Sequence, residues 1–368
     1  MLVVAKFGSS SLTDVHGRVQ AEAVAAGAHG VARLRADGHR VVVVSSGAIA
    51  AGLPALGLPA LGPGGPSSHD VLTLQAVAAV GQHRIVRVWD EQLSVHGLVA
   101  GQVLLAPLDF VNRSQYLHAR QTLIRLLDLG VVPIVNENDT VADDEIRFGD
   151  NDRLAALVAH LIAADVLVLL TDTQGLLTAD PRLDDGASLI EEIVEVDAAL
   201  EAMAGVGGSD RGSGGMASKL AAAKIAAWSG VRSVIAAASR PNVLVDAVAD
   251  VAGVGTVVRP HDRRLPARKL WIAFAVGKSG TVVVDDGARR ALVERGVSLL
   301  PAGVIGVQGS FDADQAVEIA TSDGRVFAKG LVRHRAATVA AWAGLRTSEL
   351  PPDATPVIVH RDDLVVLP

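Results

Sequence analysis

Short apolar runs recur along the first 258 residues, separated by stretches in which apolar positions return every third or fourth residue. The runs LVVAKF (2–7), RVVVVSS (40–46), LVAGQVLL (98–105), VVPIVN (131–136), VLVLLT (166–171) and VRSVIAA (231–237) predict strands. The intervening AEAVAAGAHGVARLRADG, VLTLQAVAAVGQHRIVRVWDEQL, YLHARQTLIRLLDLG and RLAALVAHLIAAD predict helices. Near-continuous apolar strands alternating with helices specify an α/β unit, a mostly parallel sheet sandwiched by helices. Ligands of such sheets bind beyond the carboxyl ends of the strands. Here those ends carry Lys6-Phe7-Gly8-Ser9, Ser45-Ser46-Gly47-Ala48, Asn136-Glu137-Asn138-Asp139 and Thr171-Asp172. The polar clusters therefore gather on one edge.

Beyond this region the texture changes. RPHDRRLPARK (259–269) is polar, basic and proline-bearing, and reads as a linker. After it, LWIAFA, TVVVDD, GVIGVQGSF and AVEIATSDGRVFAKGLV alternate between glycine turns, with one helical stretch, GARRALVERG. They predict a second, small β-rich barrel domain. The expected boundaries are a catalytic domain over 1–258, a linker over 259–268, the small domain over 269–345, and a C-terminal extension over 346–368 packing on or near it. PALGPGGPSSHD (59–70) is too rich in proline and glycine for a regular element and reads as a mobile loop.

Composition narrows the classes. A chain of 368 residues, half of them hydrophobic and 20% charged, suits two packed globular domains. A net charge of −7 argues against general attraction to nucleic acid or anionic membrane. With no cysteine there is neither a disulfide framework nor a thiolate metal site. MLVVAKFGSS lacks signal-peptide architecture, and no apolar stretch reaches the ~20 residues of a membrane span, so the expected location is cytoplasmic. The histidines, among them His29, His39, His69, His83, His96, His118 and His160, do not pair at metal-ligand spacing. The basic residues are the informative ones. Of 33 lysines and arginines only six are lysine, which makes Lys6 at a strand end and Lys219 at a helix start conspicuous. Lys224, five positions on, projects from another face of that helix and reads as solvated.

The stretch GSGGMASK (212–219) looks like a phosphate-binding P-loop but breaks its pattern, since Lys219 follows Ser218 and Leu220 stands in place of the metal-binding hydroxyl. Asp150, Asn151 and Asp152 stand at a predicted helix start, where capping needs only one of them. Asn136, Glu137, Asn138 and Asp139 suit a site or an Asx turn, and Asp143, Asp144 and Glu145 read as an exposed acidic loop. SSGAIAAG (45–52) offers backbone N–H groups to an anion, although tight packing also selects small residues. Two lysines, several carboxylates and two glycine-rich anion sites on one edge are what phosphoryl transfer requires: positive charge for the transferring oxygens, with acids to hold Mg²⁺ and orient the lysines.

KFGSSSL, VVVVSSGAIAAG, PIVNENDTVADDEIRFGDNDRLAALVA, LVLLTDTQGLLTADPR and GSGGMASKLAAAKIA occur in an order and spacing that resembles the glutamate 5-kinase family. The resemblance implies the amino-acid kinase fold with a C-terminal PUA domain, the latter carried by VDDGARRALVERGVSLLPAGV. It implies ATP-dependent phosphorylation of the γ-carboxylate of L-glutamate, the first step of proline biosynthesis, with ATP and Mg²⁺ as cofactors. By motif, Lys6 and Lys219 would stabilise the transferring phosphoryl group and Asp152 would hold both. Ser46, Asp139, Asn151 and Asp150 would bind glutamate. Lys6, Thr171, Asp172 and the loop Ser213, Gly214, Gly215, Met216, Ala217, Ser218 and Lys219 would bind ATP, with Mg²⁺ held mainly by the ATP phosphates. The family also implies feedback inhibition by L-proline and a homo-oligomer. Ser9 and Ser213 stand where many members have threonine, and both keep a hydroxyl. Two other readings are weighed: a kinase of the same fold acting on aspartate, and an RNA-binding PUA protein. Sparse aromatic residues speak against the second.

Overall fold

The computed structural model describes all residues except 61–65, 67–69, 107, 142–150, 180–183, 185, 206–214, 263, 276 and 368. The expectations for loop 59–70 and for the acidic loop at 143–145 therefore fall mostly or wholly outside the described residues. The chain divides into two compact units, Met1–Leu265 and Pro266–Pro368.

The first unit is built on strands β1 (Leu2–Phe7), β2 (Arg40–Ser45), β3 (Ala100–Leu105), β4 (Val132–Glu137), β5 (Val166–Thr171), β6 (Glu192–Ile193), β7 (Arg232–Ala237) and β8 (Thr256–Val258). They form one sheet in the order β3-β4-β2-β1-β5-β7-β8-β6. All pairs are parallel except β7 with β8. Its helices are α1 (Ser9–Leu12), α2 (Ala21–Ala36), α3 (Ala48–Ala55), α4 (Val71–Ser94), α5 (Leu108–Val111), α6 (Arg113–Asp128), α7 (Asn151–Leu161), α8 (Ala198–Gly205), α9 (Met216–Trp228) and α10 (Val243–Val248).

Strand alternation decides what reaches the site. Val3, Ala5 and Phe7 of β1 enter a core shared with Val24 and Val31 of α2, Ile85 and Trp89 of α4, and Leu244 of α10. Lys6, one residue out of phase, must point to the opposite face, where α7 packs on β1 and β5 and α9 packs on α7. Both of those helices are apolar nearly all round, as elements buried between a sheet and other helices should be.

On the other face, two glycines set the approach of α3 and α4. A Cβ on Gly81 would lie 1.7 Å from the Ala48 carbonyl oxygen, and one on Gly52 would lie 2.0 Å from that of Val77. The small residues of SSGAIAAG thus serve helix–helix packing as well as the turn, where Gly47 adopts φ of +97°. Only glycine adopts that conformation without strain.

At the far end of α7, burial and the nearby Arg264 charge push the His160 imidazole down to about 4. His160 is therefore neutral in the folded protein across the neutral range. Protonation in the unfolded chain begins near pH 6.5, so this contribution to stability is complete above that pH and is lost as pH falls toward 4. At pH 5 the loss amounts to about 2 kcal/mol. In urea titrations at pH 7.5 and pH 5, His160→Gln should lose less stability on acidification than the parent by about that amount. Equal losses in the two proteins would remove His160 as the acid-sensitive group.

The second unit has strands β9 (Gly280–Val284), β10 (Val304–Gly309), β11 (Ala316–Thr321), β12 (Val326–Val332) and β13 (Val359–Val366), in the order β10-β9-β11-β12-β13. Its helices are α11 (Ala267–Leu270), α12 (Asp286–Arg295) and α13 (Ala336–Trp342). Asp285 caps α12 by accepting from Ala288 N at 2.7 Å. Val282, Val284, Leu292, Phe311, Val317, Ile319 and Ile358 form its core.

Three features differ from the expectations. LWIAFA is not a strand: α11 runs into a π-helical turn, Trp271–Ala275. Leu270, Trp271 and Ile272 are buried in succession rather than alternately, and a fully buried run does not reveal its period. The C-terminal segment supplies β13, an edge strand paired with β12, so it is part of the sheet itself. Buried Asp363 on β13 joins Arg268 of α11 at 2.5 Å and Arg333 at 2.7 Å. The start of the expected linker is bound to the first unit, where the His261 ring lies 4.3 Å from that of Trp228 and Leu265 N donates to the Trp228 carbonyl.

Candidate active site

Because β4, β2, β1 and β5 are adjacent and parallel, their carboxyl ends bring Glu137, Ser45, Phe7 and Thr171 into one row. α7 and α9 begin above that row. Asp152, in the first turn of α7, is fully buried and lies between two buried lysines. Its Oδ1 pairs with Lys6 Nζ from β1, and its Oδ2 pairs with Lys219 Nζ from α9 at 3.1 Å. Ser218 Oγ sits 2.9 Å from the same Oδ2 and 3.0 Å from the Gly215 carbonyl oxygen. Three elements distant in sequence thus meet on one carboxylate. Burial alone would push the Asp152 carboxyl up; Lys6 first and Lys219 second outweigh it and hold the group below the ordinary carboxylate range. The cluster of one carboxylate and two ammonium groups carries a net positive charge.

Beside it runs a chain of amides. Asn151 Nδ2 donates to Ser46 Oγ at 3.0 Å and to Asn136 Oδ1 at 2.9 Å. Asn136 Nδ2 donates to Gln82 Oε1 on α4 at 2.7 Å, and Asn136 Oδ1 also accepts from Glu137 N at 2.9 Å. Ser45, on the core side, accepts from Trp89 Nε1 at 3.1 Å, which ties the end of β2 to α4. Asp139 opens a 3₁₀ turn after β4, packed beside α4. Thr171 Oγ1 donates to Asp172 Oδ1 at 3.0 Å at the end of β5.

The helix starts are as telling as the side chains. Gly47 and Gly215 occupy the N-caps of α3 and α9, and among the described residues no side chain caps either start. Their first-turn N–H groups therefore suit an anion, reinforced by the helix dipole. Among the described residues nothing lies within 4 Å of a Cβ built at Gly215.

Of the sequence-derived candidates, the structure brings Lys6, Asp152, Ser218 and Lys219 into one cluster and Ser46 and Asn151 into another. Thr171 and Asp172 lie at the neighbouring strand end, and Gly215, Met216 and Ala217 form the start of α9. Asp150, Ser213 and Gly214 lie outside the described residues. Lys224 is not simply solvated, since it pairs with Glu201 of α8 at 2.8 Å. Sequence reasoning overlooked Gln82. Its signal was a polar residue on the apolar stripe Ala78-Ile85-Trp89 of α4.

Comparison with known proteins agrees with this architecture. Residues 1–237 match the amino acid kinase family and residues 280–350 match the PUA domain. The chain is 43% identical over 370 residues to the glutamate 5-kinase of Herpetosiphon aurantiacus, covering 99% of this chain and 98% of that protein. It is 44% identical over 369 residues to the glutamate 5-kinase of Paraburkholderia xenovorans, covering 99% and 97%. With the glutamate 5-kinase of Escherichia coli O1:K1 the identity is 42% over 369 residues, covering 99% and 98%. The chain belongs to the amino acid kinase family and, within it, to the glutamate 5-kinases.

Proposed function

We propose that the chain transfers the γ-phosphoryl group of ATP to the γ-carboxylate of L-glutamate, giving L-glutamyl 5-phosphate and ADP as the first step of proline biosynthesis. The observation that carries the mechanism is the buried pair of lysines held on Asp152. A γ-carboxylate is already a nucleophile at neutral pH, so no general base is needed. One of its oxygens bonds to Pγ while the bond from Pγ to the bridging oxygen of ADP breaks. Repulsion between the carboxylate and the phosphates opposes the approach. Lys6 and Lys219 offset it, most of all when charge spreads over the equatorial oxygens in the transition state. Asp152 is the positioning group that keeps both ammonium groups in place.

Ser46 and Asn151 suit the amino-acid end of the substrate. Ser46 Oγ accepts from Asn151, and among the described residues its own proton has no acceptor, which suits donation to a carboxylate. Asn151 Oδ1 is buried without a hydrogen-bond partner among the described residues, which suits the α-ammonium group. We assign Asp139 and Asp150 to that ammonium as well, and Thr171, Asp172 and the 213–219 loop to ATP. The described residues contain no cluster of three His, Cys, Asp or Glu side chains that could hold a metal. We propose that Mg²⁺ enters with ATP as part of the substrate, held mainly by its phosphates. Among the described residues no helix is long and apolar enough to cross a membrane, and we place the reaction in the cytoplasm. Competition by L-proline and assembly into a homo-oligomer belong to the same proposal, supported by the family resemblance. The aspartate-kinase and RNA-binding readings are not favoured, since the end-to-end relatives are glutamate 5-kinases.

Incubation with ATP, Mg²⁺, L-glutamate and hydroxylamine should yield γ-glutamyl hydroxamate, because the amine traps the acyl phosphate. ADP release should be fastest with glutamate when aspartate, N-acetylglutamate and UMP are run beside it. Hydroxamate from aspartate and none from glutamate would overturn the assignment.

A further inference from the structure

The orientation of the three amides follows from one backbone group. Glu137 N is a donor whatever its surroundings, so the Asn136 atom facing it at 2.9 Å must be the carbonyl oxygen. Asn136 then offers its NH₂ to Gln82, so the Gln82 atom at 2.7 Å must be an acceptor, Oε1. The same Asn136 oxygen faces Asn151 at 2.9 Å, so Asn151 must present its NH₂ there, and that NH₂ also reaches Ser46 Oγ. Every flip in the relay is thus determined by hydrogen-bond complementarity. Its ends are defined too. Asn151 Oδ1 and Gln82 Nε2 are buried without a hydrogen-bond partner among the described residues. Buried amide atoms of this kind are costly unless something arrives to pair with them.

Gln82 is a costly residue to keep at its position. It is only 8% exposed and lies on the stripe of α4 that otherwise packs Val77, Ala78, Ile85 and Trp89. It follows Gly81, whose missing Cβ lets α4 lie against the Ala48 carbonyl at the start of α3. We infer that Gln82 is a positioning residue for glutamate: by accepting from Asn136 it fixes Asn151 and Ser46 in the orientations that meet the substrate. This rests on the proposed assignment of Ser46 and Asn151 to glutamate. Without the Gln82 acceptor, the Asn136 NH₂ loses its partner and the side chain is held only at its oxygen, so it is fixed less firmly. Asn151 then loses a fixed acceptor for its own NH₂, and its carbonyl is no longer aimed. The loss falls on glutamate binding, because both lysines are paired with Asp152, which is not a member of the relay.

The test is steady-state kinetics of Gln82→Met, which keeps length and burial but removes the acceptor. KM for glutamate should rise about tenfold, the loss of one buried hydrogen bond in the bound state, with kcat and KM for ATP within twofold. In an Asn136→Ala background the same change should add nothing, since the relay is already cut. Urea midpoints report folding; if Gln82→Met does not fold, Gln82→Ala is read in the same way. An unchanged KM for glutamate overturns the inference. So does an equal rise in both backgrounds, which would make Gln82 a direct glutamate contact. Parallel loss of kcat, both KM values and stability would overturn it as well, leaving Gln82 a packing residue. Calorimetric titration of L-glutamate into parent and Gln82→Met protein, without ATP, reads the same tenfold difference independently of turnover. A parent that binds glutamate but forms no hydroxamate would count against the proposed reaction and not against this role.

Discussion

Asp152→Asn should be the most damaging single substitution in the molecule, lowering kcat by about 10³-fold, the upper end for loss of preorganised charge stabilisation. The replacement keeps the shape of the side chain, so packing in the first turn of α7 is undisturbed. What changes is the pairing. Lys6 and Lys219 are both buried and each takes one carboxylate oxygen. An amide offers one oxygen and one NH₂, so one ammonium faces a donor and both lose their counter-charge. Removing one member of a buried ionic cluster costs about 3–5 kcal/mol, so the urea midpoint should fall together with kcat. Asp152 is held below the usual carboxylate range, so in the parent its stabilisation is present above the ordinary carboxylate pKa. It is lost only as pH drops through the lowered value. The variant lacks this acid-sensitive step. Retention of kcat within tenfold, in a folded variant, would show that the lysines need no carboxylate to hold them.

How far this site was legible in the sequence differs from residue to residue. Lys6 stood out because lysine is rare in this chain and its strand is otherwise apolar. Asp152 and Lys219 stood out because polar residues at a helix start followed glycines. In each case the signal was local. The members of the amide relay had local signals too, but their pairing with one another had none. Gln82 and Asn136 are 54 positions apart, and their meeting depends on where α4 lies, which the close contacts of Gly52 and Gly81 with the neighbouring helix backbone help to set. The same division runs through the fold. Strands β1, β2, β4, β5 and β7 are buried in nearly continuous apolar runs, and β3 is a half-exposed edge strand; periodicity and flanking turns reveal them. β6 and β8 are two and three residues long, too short for any periodicity. They exist because neighbouring strands supply their hydrogen bonds. β13 was hidden for another reason. His360, Arg361, Asp362 and Asp363 interrupt its apolar pattern, and Asp363 is tolerated inside only because Arg268 and Arg333 pair with it.

Lys219→Ala should lower kcat by about 10²–10³-fold, equivalent to roughly 3–4 kcal/mol of transition-state stabilisation. KM for glutamate should move far less, because the charge this lysine meets is greatest when the phosphoryl group is between its two partners. Lys219→Arg asks whether charge alone suffices. The ammonium sits 3.1 Å from Asp152 Oδ2 in a buried space shared with Lys6. A wider planar guanidinium cannot occupy that space without displacing one of them. Arginine should therefore recover little of the lost rate. Lys224→Ala supplies the control: it lies on the same helix and is also cationic, but it is engaged with Glu201 on another face. Its kcat should match the parent within twofold. If arginine at 219 restores most of the turnover, a diffuse positive field is enough and the fixed geometry around Asp152 is not what accelerates transfer. If alanine itself retains near-normal kcat, Lys219 is a structural partner of Asp152, and Lys6 with the N–H groups at the start of α9 must carry the phosphoryl charge.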